Sequence, residues 1–190
     1  MSASTHAHAA LAESATRGKV AIWWFLASEI MLFGGLIASF VISRLGGGVT
    51  VDHNHLNITV AAINTFILLS SSYTMVEAFA SAARGDRRGM RIFLALTVLG
   101  GLAFLGVKAY EYTGEILHGF TPWAGPFWSF YYTMTGLHAL HVLVGVIANA
   151  SLCLWTRLGT ERPYRVEVAG LYWHFVDIVW IFLFPLVYLS

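Results

Sequence analysis

Residues 23–35 read WWFLASEIMLFGG, an apolar run with two tryptophans at its head and one glutamate, Glu29, in its middle. This run lies in an apolar stretch of about residues 20–44, and a helix needs about 20 such residues to cross a bilayer. Glu29 falls roughly 12 Å along that helix, which rises 1.5 Å per residue. A carboxylate at this depth costs about 3 kcal/mol or more. The sequence therefore predicts that Glu29 is either protonated or paired.

The partner of Glu29 must come from another helix, because its neighbours one turn away are Phe25, Leu26, Leu32 and Phe33. Two interpretations follow from the sequence. Glu29 is a proton-exchanging carboxyl or half of a buried hydrogen-bonded pair, or it is a polar contact that joins two helices of a bundle.

Composition makes lipid the solvent for most of the chain. The 190 residues are 57% hydrophobic and 11% charged, and the mean hydropathy is +0.68. A soluble domain carries about 25% charged residues, so this chain cannot cover a water-facing surface. The formal net charge of +1 gives no indication of nucleic acid as a partner. The one cysteine, Cys153, excludes a disulfide framework within the chain.

Five stretches are long enough to span a membrane, and the breaks between them are rich in Gly, Pro or charge. The sequence predicts an all-α integral membrane protein, a bundle of five transmembrane helices. A polar N-terminal tail (1–19) precedes a single membrane domain (20–190). The predicted spans are about 20–44, 57–83, 90–115, 126–156 and 166–189.

The distribution of cations predicts the orientation. If five helices alternate in direction, nine of the 11 Lys and Arg residues lie on one side of the membrane. The positive-inside rule makes this side cytoplasmic, which puts the N-terminus in the cytoplasm and the C-terminus outside. The nine residues are Arg17, Lys19, Arg84, Arg87, Arg88, Arg91, Arg157, Arg162 and Arg165.

Two spans carry pairs of polar residues three positions apart. His138 and His141 share one face of span four, and His174 and Asp177 share one face of span five. Three histidines in a bundle could bind a haem or a metal, since imidazole ligates both. We favour interhelical hydrogen bonds, and the chain has no Glu-x-x-His pair of the kind that builds a di-iron site in a bundle.

Span three carries Lys108, Glu111 and Glu115 near its outer end. The spacing favours a self-neutralising, salt-bridged rim. In span one, the pairs Gly34–Ala38 and Gly35–Ser39 have the small-xxx-small spacing that lets another helix backbone approach closely. The outer loop VDHNH (51–55) could hold a metal, but two histidines in a Gly-rich loop more often face water.

Read together, these segments resemble the subunit III family of haem–copper oxidases, the cytochrome c oxidase subunit 3 family. The likeness covers residues 23–189, and its motifs occur in the family's order. Larger members have seven helices, and this chain resembles the five-helix bacterial form that lacks the first two. The motifs are FLASEIMLFGG, NTFILLSSSYTM, KAYEYTGE, FYYTMTGLHALHVLVG and VEVAGLYWHFVDIVWIFLFPLVYL.

The resemblance implies a non-catalytic core subunit of a terminal oxidase in aerobic electron transport, in the cytoplasmic membrane of a bacterium. Such a subunit packs on subunit I, beside subunit II and small subunits, and can belong to a larger respiratory supercomplex. It binds phospholipid in a cleft and supports proton uptake and turnover. It has no active site and holds no haem or copper, which are expected in the catalytic partner.

The resemblance also assigns residues. Glu29 falls on the family's carbodiimide-reactive membrane carboxylate, whereas Lys108 stands where the family often has an uncharged polar residue. We predict an intramembrane polar cluster of His138, His141, His174, Asp177, Glu111 and Glu167.

Arg157, Arg162 and Arg165 are candidates for binding anionic lipid headgroups, each worth about 1 kcal/mol near such a surface. An equally plausible interpretation is that these arginines determine orientation only.

Other functions fit parts of the pattern. Within the family, the chain could serve a quinol oxidase or accompany a nitric oxide reductase. Outside it, the histidines at 138, 141 and 174 suit a self-sufficient haem-binding membrane protein, and Glu29 suits the proton site of a small transporter. A transporter is disfavoured because the chain lacks an inverted repeat and matched broken helices.

Overall fold

The computed structural model describes residues 2–49, 57–158 and 163–189, and the regular secondary structure of this part of the chain is all helical. Five of its helices contain a segment that is long and apolar enough to cross a membrane, which confirms the predicted fold class. The sides of the membrane on which the termini lie stay a prediction. The elements are α1 (Ser2–Leu45), α2 (Ile58–Ala83), α3 (Arg87–Leu117), α4 (Pro126–Leu158), α5 (Pro163–Phe184) and a final π-helical turn (Pro185–Leu189).

Helix α1 is longer than its membrane-spanning part. It begins at Ser2, within the segment predicted as a polar tail, while the apolar segment that could cross a membrane runs from Arg17 to Leu45. At 1.5 Å per residue the whole helix is about 66 Å long, roughly twice the thickness of the hydrocarbon core.

Local chemistry sets the helix ends. The side chain of Asp86 accepts hydrogen bonds from the first backbone N–H groups of α3, which explains why this helix begins at Arg87 rather than near residue 90. Asn57 caps α2 in the same way. Gly85 and Gly119 follow α2 and α3 with positive φ angles of 74° and 89°, a conformation that favours glycine.

Helix α5 lies at the centre of the bundle, and α1 lies at its edge. α5 packs against α1, α2 and α4, whereas the main contacts of α1 are with α5 and α4. Much of α1 therefore faces outward, and Trp24 and Met31 are 76% and 80% exposed. In a bilayer these side chains face lipid or another subunit.

The indole ring of Trp173 fixes α5 against three neighbouring helices. A Cβ atom on Gly145 of α4 would lie 2.7 Å from the Trp173 ring, and one on Gly101 of α3 would lie 2.6 Å from it. No side chain larger than hydrogen fits at either position without a shift. The indole N–H donates to the Ser71 hydroxyl on α2 at 3.2 Å. One residue thus joins α5 to α2, α3 and α4.

The predicted close approach along span one is not made within the described part of this chain. Nothing lies within 4 Å of a Cβ built on Gly34 or Gly35. The reason is the edge position of α1, which leaves no helix packed closely on this small-residue face.

We predict that Gly145→Ala destabilises the protein by about 1–3 kcal/mol, the usual cost of overpacking a close contact. The matched control is Gly106→Ala on α3, where the added methyl meets nothing within 4 Å. Thermal unfolding of the purified variants measures both. Equal midpoints for the two variants would contradict the tight fit around Trp173.

Candidate functional site

The carboxyl group of Glu29 on α1 faces the imidazole of His141 on α4. Oε2 of Glu29 lies 3.1 Å from Nε2 of His141, and the side chains are 13% and 12% exposed. The partner predicted on another helix is therefore His141. Tyr172 of α5 donates to the backbone carbonyl of His141 at 3.1 Å. Three helices meet at this pair.

A single proton lies between Glu29 and His141. Nδ1 of His141 donates to the carbonyl oxygen of Leu137 at 2.8 Å, since a carbonyl can only accept. Nε2 then either accepts a hydrogen bond from a neutral Glu29 carboxyl or donates one to a Glu29 carboxylate. The pair carries no net charge in either arrangement. This neutrality is what makes a carboxyl tolerable at that depth.

His174 of α5 bonds to Ser72 of α2, and Asp177 follows one turn further along α5. Nδ1 of His174 lies 2.6 Å from the Ser72 hydroxyl. Asp177 is 6% exposed, and its Oδ1 has no hydrogen-bond partner in the described part of the chain. Ser72 thus joins α2 to α5 through His174.

Lys108 occupies the interior of the bundle rather than a surface rim. It is 2% exposed, and its ammonium lies 3.1 Å from Oε2 of Glu111 and 2.7 Å from the Tyr188 hydroxyl. Tyr131 donates to Oε1 of Glu111 at 2.7 Å, and Tyr188 donates to the same oxygen. The charges of Lys108 and Glu111 neutralise each other, as the spacing predicted. The two side chains face α4 and the C-terminal turn instead of a surface rim.

Aromatic rings surround the Lys108 ammonium. Its nitrogen lies 5.1–5.4 Å from the ring centroids of Tyr112, Tyr131, Trp180 and Tyr188. A desolvated cation over such rings gains from their quadrupoles as well as from its carboxylate. Nothing in the sequence around Lys108 indicated this enclosure, because the rings come from three helices and the final turn.

His138 differs from the other two histidines. It is fully buried, its ring stacks on Trp180 at 5.0 Å between centroids, and Phe104 packs edge-on at 5.6 Å. Neither ring nitrogen has a hydrogen-bond partner among the described residues. Interhelical hydrogen bonds were predicted for all three histidines and are present at His141 and His174 only.

The residues predicted as one polar cluster do not form a single cluster. They lie at different depths and on different helix faces, and so they belong to separate groups. Glu167, near the start of α5, pairs with Lys19 of α1 at 2.7 Å, and both side chains are partly exposed. His141 pairs with Glu29, His174 bonds to Ser72 with Asp177 on the next turn of α5, and Glu111 holds Lys108. His138 lies beside this last group, since Trp180 contacts both.

The histidines do not converge on a common ligand. Both ring nitrogens of His141 are engaged within the chain, and Nδ1 of His174 is held by Ser72. Across residues 2–49, 57–158 and 163–189, no group of three or more His, Cys, Asp or Glu side chains is placed to hold a metal ion. The VDHNH loop lies outside the described residues.

Of the three arginines predicted at lipid headgroups, Arg165 is the one whose side chain the structure describes. Its guanidinium lies 5.4 Å over the ring of Trp155, at one end of an apolar cleft between α1, α4 and α5. The Arg157 side chain and all of Arg162 lie outside the described residues.

Several residues of these sites were not predicted from the sequence. Ser72, Tyr131, Trp173 and Tyr188 all act on side chains of other helices, so no local spacing marks them. For Trp173 the sequence does contain one indication. Gly101 and Gly145 lie on two neighbouring spans, and a pair of glycines there leaves room for a bulky ring between the helices.

Sequence comparison identifies the family. The family described as cytochrome c oxidase subunit III matches residues 3–190. Cytochrome c oxidase subunit 3 of Corynebacterium diphtheriae is 39% identical over 171 residues, which cover 86% of this chain and 83% of the relative. Quinol oxidase subunit 3 of Bacillus spizizenii is 34% identical over 172 residues, which cover 88% and 84%.

The fold and the paired interior charges define an all-helical membrane protein with five spans. The chain belongs to the cytochrome c oxidase subunit III family. It is subunit III of a haem–copper oxidase, and so a component of an oxidoreductase complex.

We predict that Lys108→Met lowers the free energy of unfolding by about 3 kcal/mol or more, because Glu111 is left as a buried carboxylate without its cation. The double variant Lys108→Met/Glu111→Gln should recover part of that loss. Thermal unfolding compares them, with Tyr110→Phe on the exposed face of α3 as the control. Additive losses in the double variant would show that the two side chains do not interact.

Proposed function

We propose that the chain is a non-catalytic core subunit that packs on the haem–copper catalytic subunit and supports its proton uptake and turnover. The observation that carries this proposal is the family match over residues 3–190. The interior of the chain supports it: His141 and His174 bond to side chains of other helices, which is what a structural role requires. Haem and copper belong to the catalytic partner.

In this proposal the Glu29–His141 pair fastens α1 to the rest of the bundle. α1 lies at the edge, and a second polar contact with the bundle is the Lys19–Glu167 ion pair near the helix ends. The shared proton keeps the Glu29–His141 pair neutral. Direct proton transport through Glu29 is the weaker alternative, since Phe33 packs edge-on against the His141 ring rather than continuing a polar relay.

The cleft between α1, α4 and α5 is the proposed phospholipid site. It has a volume of about 530 Å³, and apolar side chains such as Ile22, Phe25 and Leu152 line it. Arg165 lies among the lining residues with its guanidinium over Trp155. An acyl chain would fill the cleft while the phosphate meets Arg165. Arg157 and Arg162 remain further candidates for headgroup contacts.

The electron donor of the complex is the open part of the proposal. A cytochrome c oxidase is our first candidate, because the relative with 39% identity bears that name. A quinol oxidase is the second, because the Bacillus spizizenii relative bears that one. We place the chain in a bacterial cytoplasmic membrane with its N-terminus in the cytoplasm, beside subunits I and II, small subunits and, in some membranes, a supercomplex.

Affinity purification of the chain in mild detergent, followed by mass spectrometry, tests the proposal. We expect a haem–copper catalytic subunit to accompany the chain in a defined ratio. The nature of the second large subunit then distinguishes a cytochrome c donor from a quinol donor. Recovery of the chain alone from membranes that contain an active oxidase would refute the proposal.

We predict that Glu29→Gln leaves assembly of the complex mostly intact, because an amide still hydrogen-bonds to Nε2 of His141. Glu29→Leu should reduce assembly, since it leaves the imidazole without a partner, at a cost of about 1–3 kcal/mol. The yield of the chain in the purified complex measures both. Normal yield from the leucine variant would count against a structural role for the pair.

We also predict that Arg165→Gln lowers the amount of anionic phospholipid that copurifies with the complex. Lipid mass spectrometry measures the loss per complex. Arg88→Gln is the matched control, because Arg88 lies away from the cleft between α1, α4 and α5. Equal lipid content in both variants would show that Arg165 does not hold a headgroup.

A further inference from the structure

A second apolar cleft separates α1 from α5 on the other side of their contact. Its volume is about 410 Å³, and its described lining is apolar apart from one imidazole, that of His174. Ring side chains contribute much of this lining. They include Trp23, Phe33, Phe175 and Phe182.

One ring nitrogen of the His174 imidazole is bonded within the protein. Its Nδ1 lies 2.6 Å from the Ser72 hydroxyl. Nε2 is the ring nitrogen left over, and no residue in the described part of the chain bonds to it. An imidazole nitrogen in an apolar cleft within a membrane needs a hydrogen-bond partner, since an unsatisfied polar group there is costly.

The depth of His174 restricts what that partner can be. His174 lies eight residues after residue 166, the predicted start of span five, which is about 12 Å along the helix. That is inside a hydrocarbon core about 30 Å thick. A phospholipid phosphate stays at the membrane surface, and an acyl chain has no polar group to offer at this depth.

We propose that this cleft binds a membrane-soluble quinoid or phenolic ring with an apolar tail, and that a ring oxygen bonds to Nε2 of His174. The ring would pack among Phe33 and Phe175, with the tail directed towards Phe182. Aromatic walls with one placed polar group are typical of sites for such ligands, and the volume lies in their usual range.

The direction of the His174–Ser72 hydrogen bond determines which form of the ligand binds. If Nδ1 of His174 donates to the Ser72 hydroxyl, Nε2 is an acceptor, which suits a hydroxyl on the ring. If Ser72 donates to Nδ1, Nε2 carries the proton and suits a ring carbonyl. The site therefore takes both forms of one ligand class. This inference does not depend on the proposed role of the subunit.

Photolabelling of the purified oxidase complex tests the site. The probe is a benzoquinone with a diazirine on a short isoprenoid tail, and labelled peptides are mapped by mass spectrometry. We expect label on segments 23–37 and 171–182, displaced by excess unlabelled benzoquinone but not by added phosphatidylglycerol. Label confined to other subunits, or displacement by the phospholipid, would overturn the proposal.

Variants of the chain separate the hydrogen bond from the shape of the cleft. His174→Leu should lower labelling of these segments about tenfold, the expected effect of losing one hydrogen bond to a ligand. Ile178→Trp fills the cleft without replacing His174 and should abolish labelling. Ile181→Ala, on α5 but outside the cleft, is the control and should label normally.

Unchanged labelling in His174→Leu, or in Ile178→Trp, would overturn the proposal. If the leucine variant does not assemble, His174→Gln replaces it, since an amide can donate and accept. We then expect labelling within about threefold of the unmodified complex, and a complete loss in His174→Gln would equally overturn the assignment.

Discussion

The fit of Trp173 between two glycines is the interaction on which the rest of the bundle depends. Gly145 and Gly101 leave room for the indole, and its N–H donates to Ser71. Once this ring sets the register of α5, its neighbours along the helix reach their own partners. Tyr172 then reaches the backbone of His141, and His174 reaches Ser72. Helix α5 is therefore the centre of both the packing and the polar network.

Charge neutrality is the second constraint, and the membrane imposes it. The carboxyl of Glu29 shares one proton with His141, and the ammonium of Lys108 is held by Glu111 inside four aromatic rings. Each group carries little net charge into the hydrocarbon, where an isolated ion would be costly. Such pairs explain how a chain with few charges can keep several of them buried.

The spans and the need of Glu29 for a partner could be predicted from the sequence because they depend on local composition and on the energetics of lipid. The identity of that partner could not, since His141 lies 112 residues away. The same limit applies to Lys108, whose spacing with Glu111 suggested a rim. Its burial depends on rings of α4, α5 and the final turn, and only tertiary packing brings them together. His138 shows the converse, a histidine held by stacking instead of hydrogen bonds.

We propose that this chain supports a catalytic subunit and carries no redox centre of its own. Reduced-minus-oxidised spectra of the purified complex, before and after the chain is stripped off with detergent, test it most directly. We predict that the whole haem signal stays with the remaining complex while turnover declines over successive cycles. Haem recovered with the isolated chain would contradict this proposal and would identify its histidines as haem ligands.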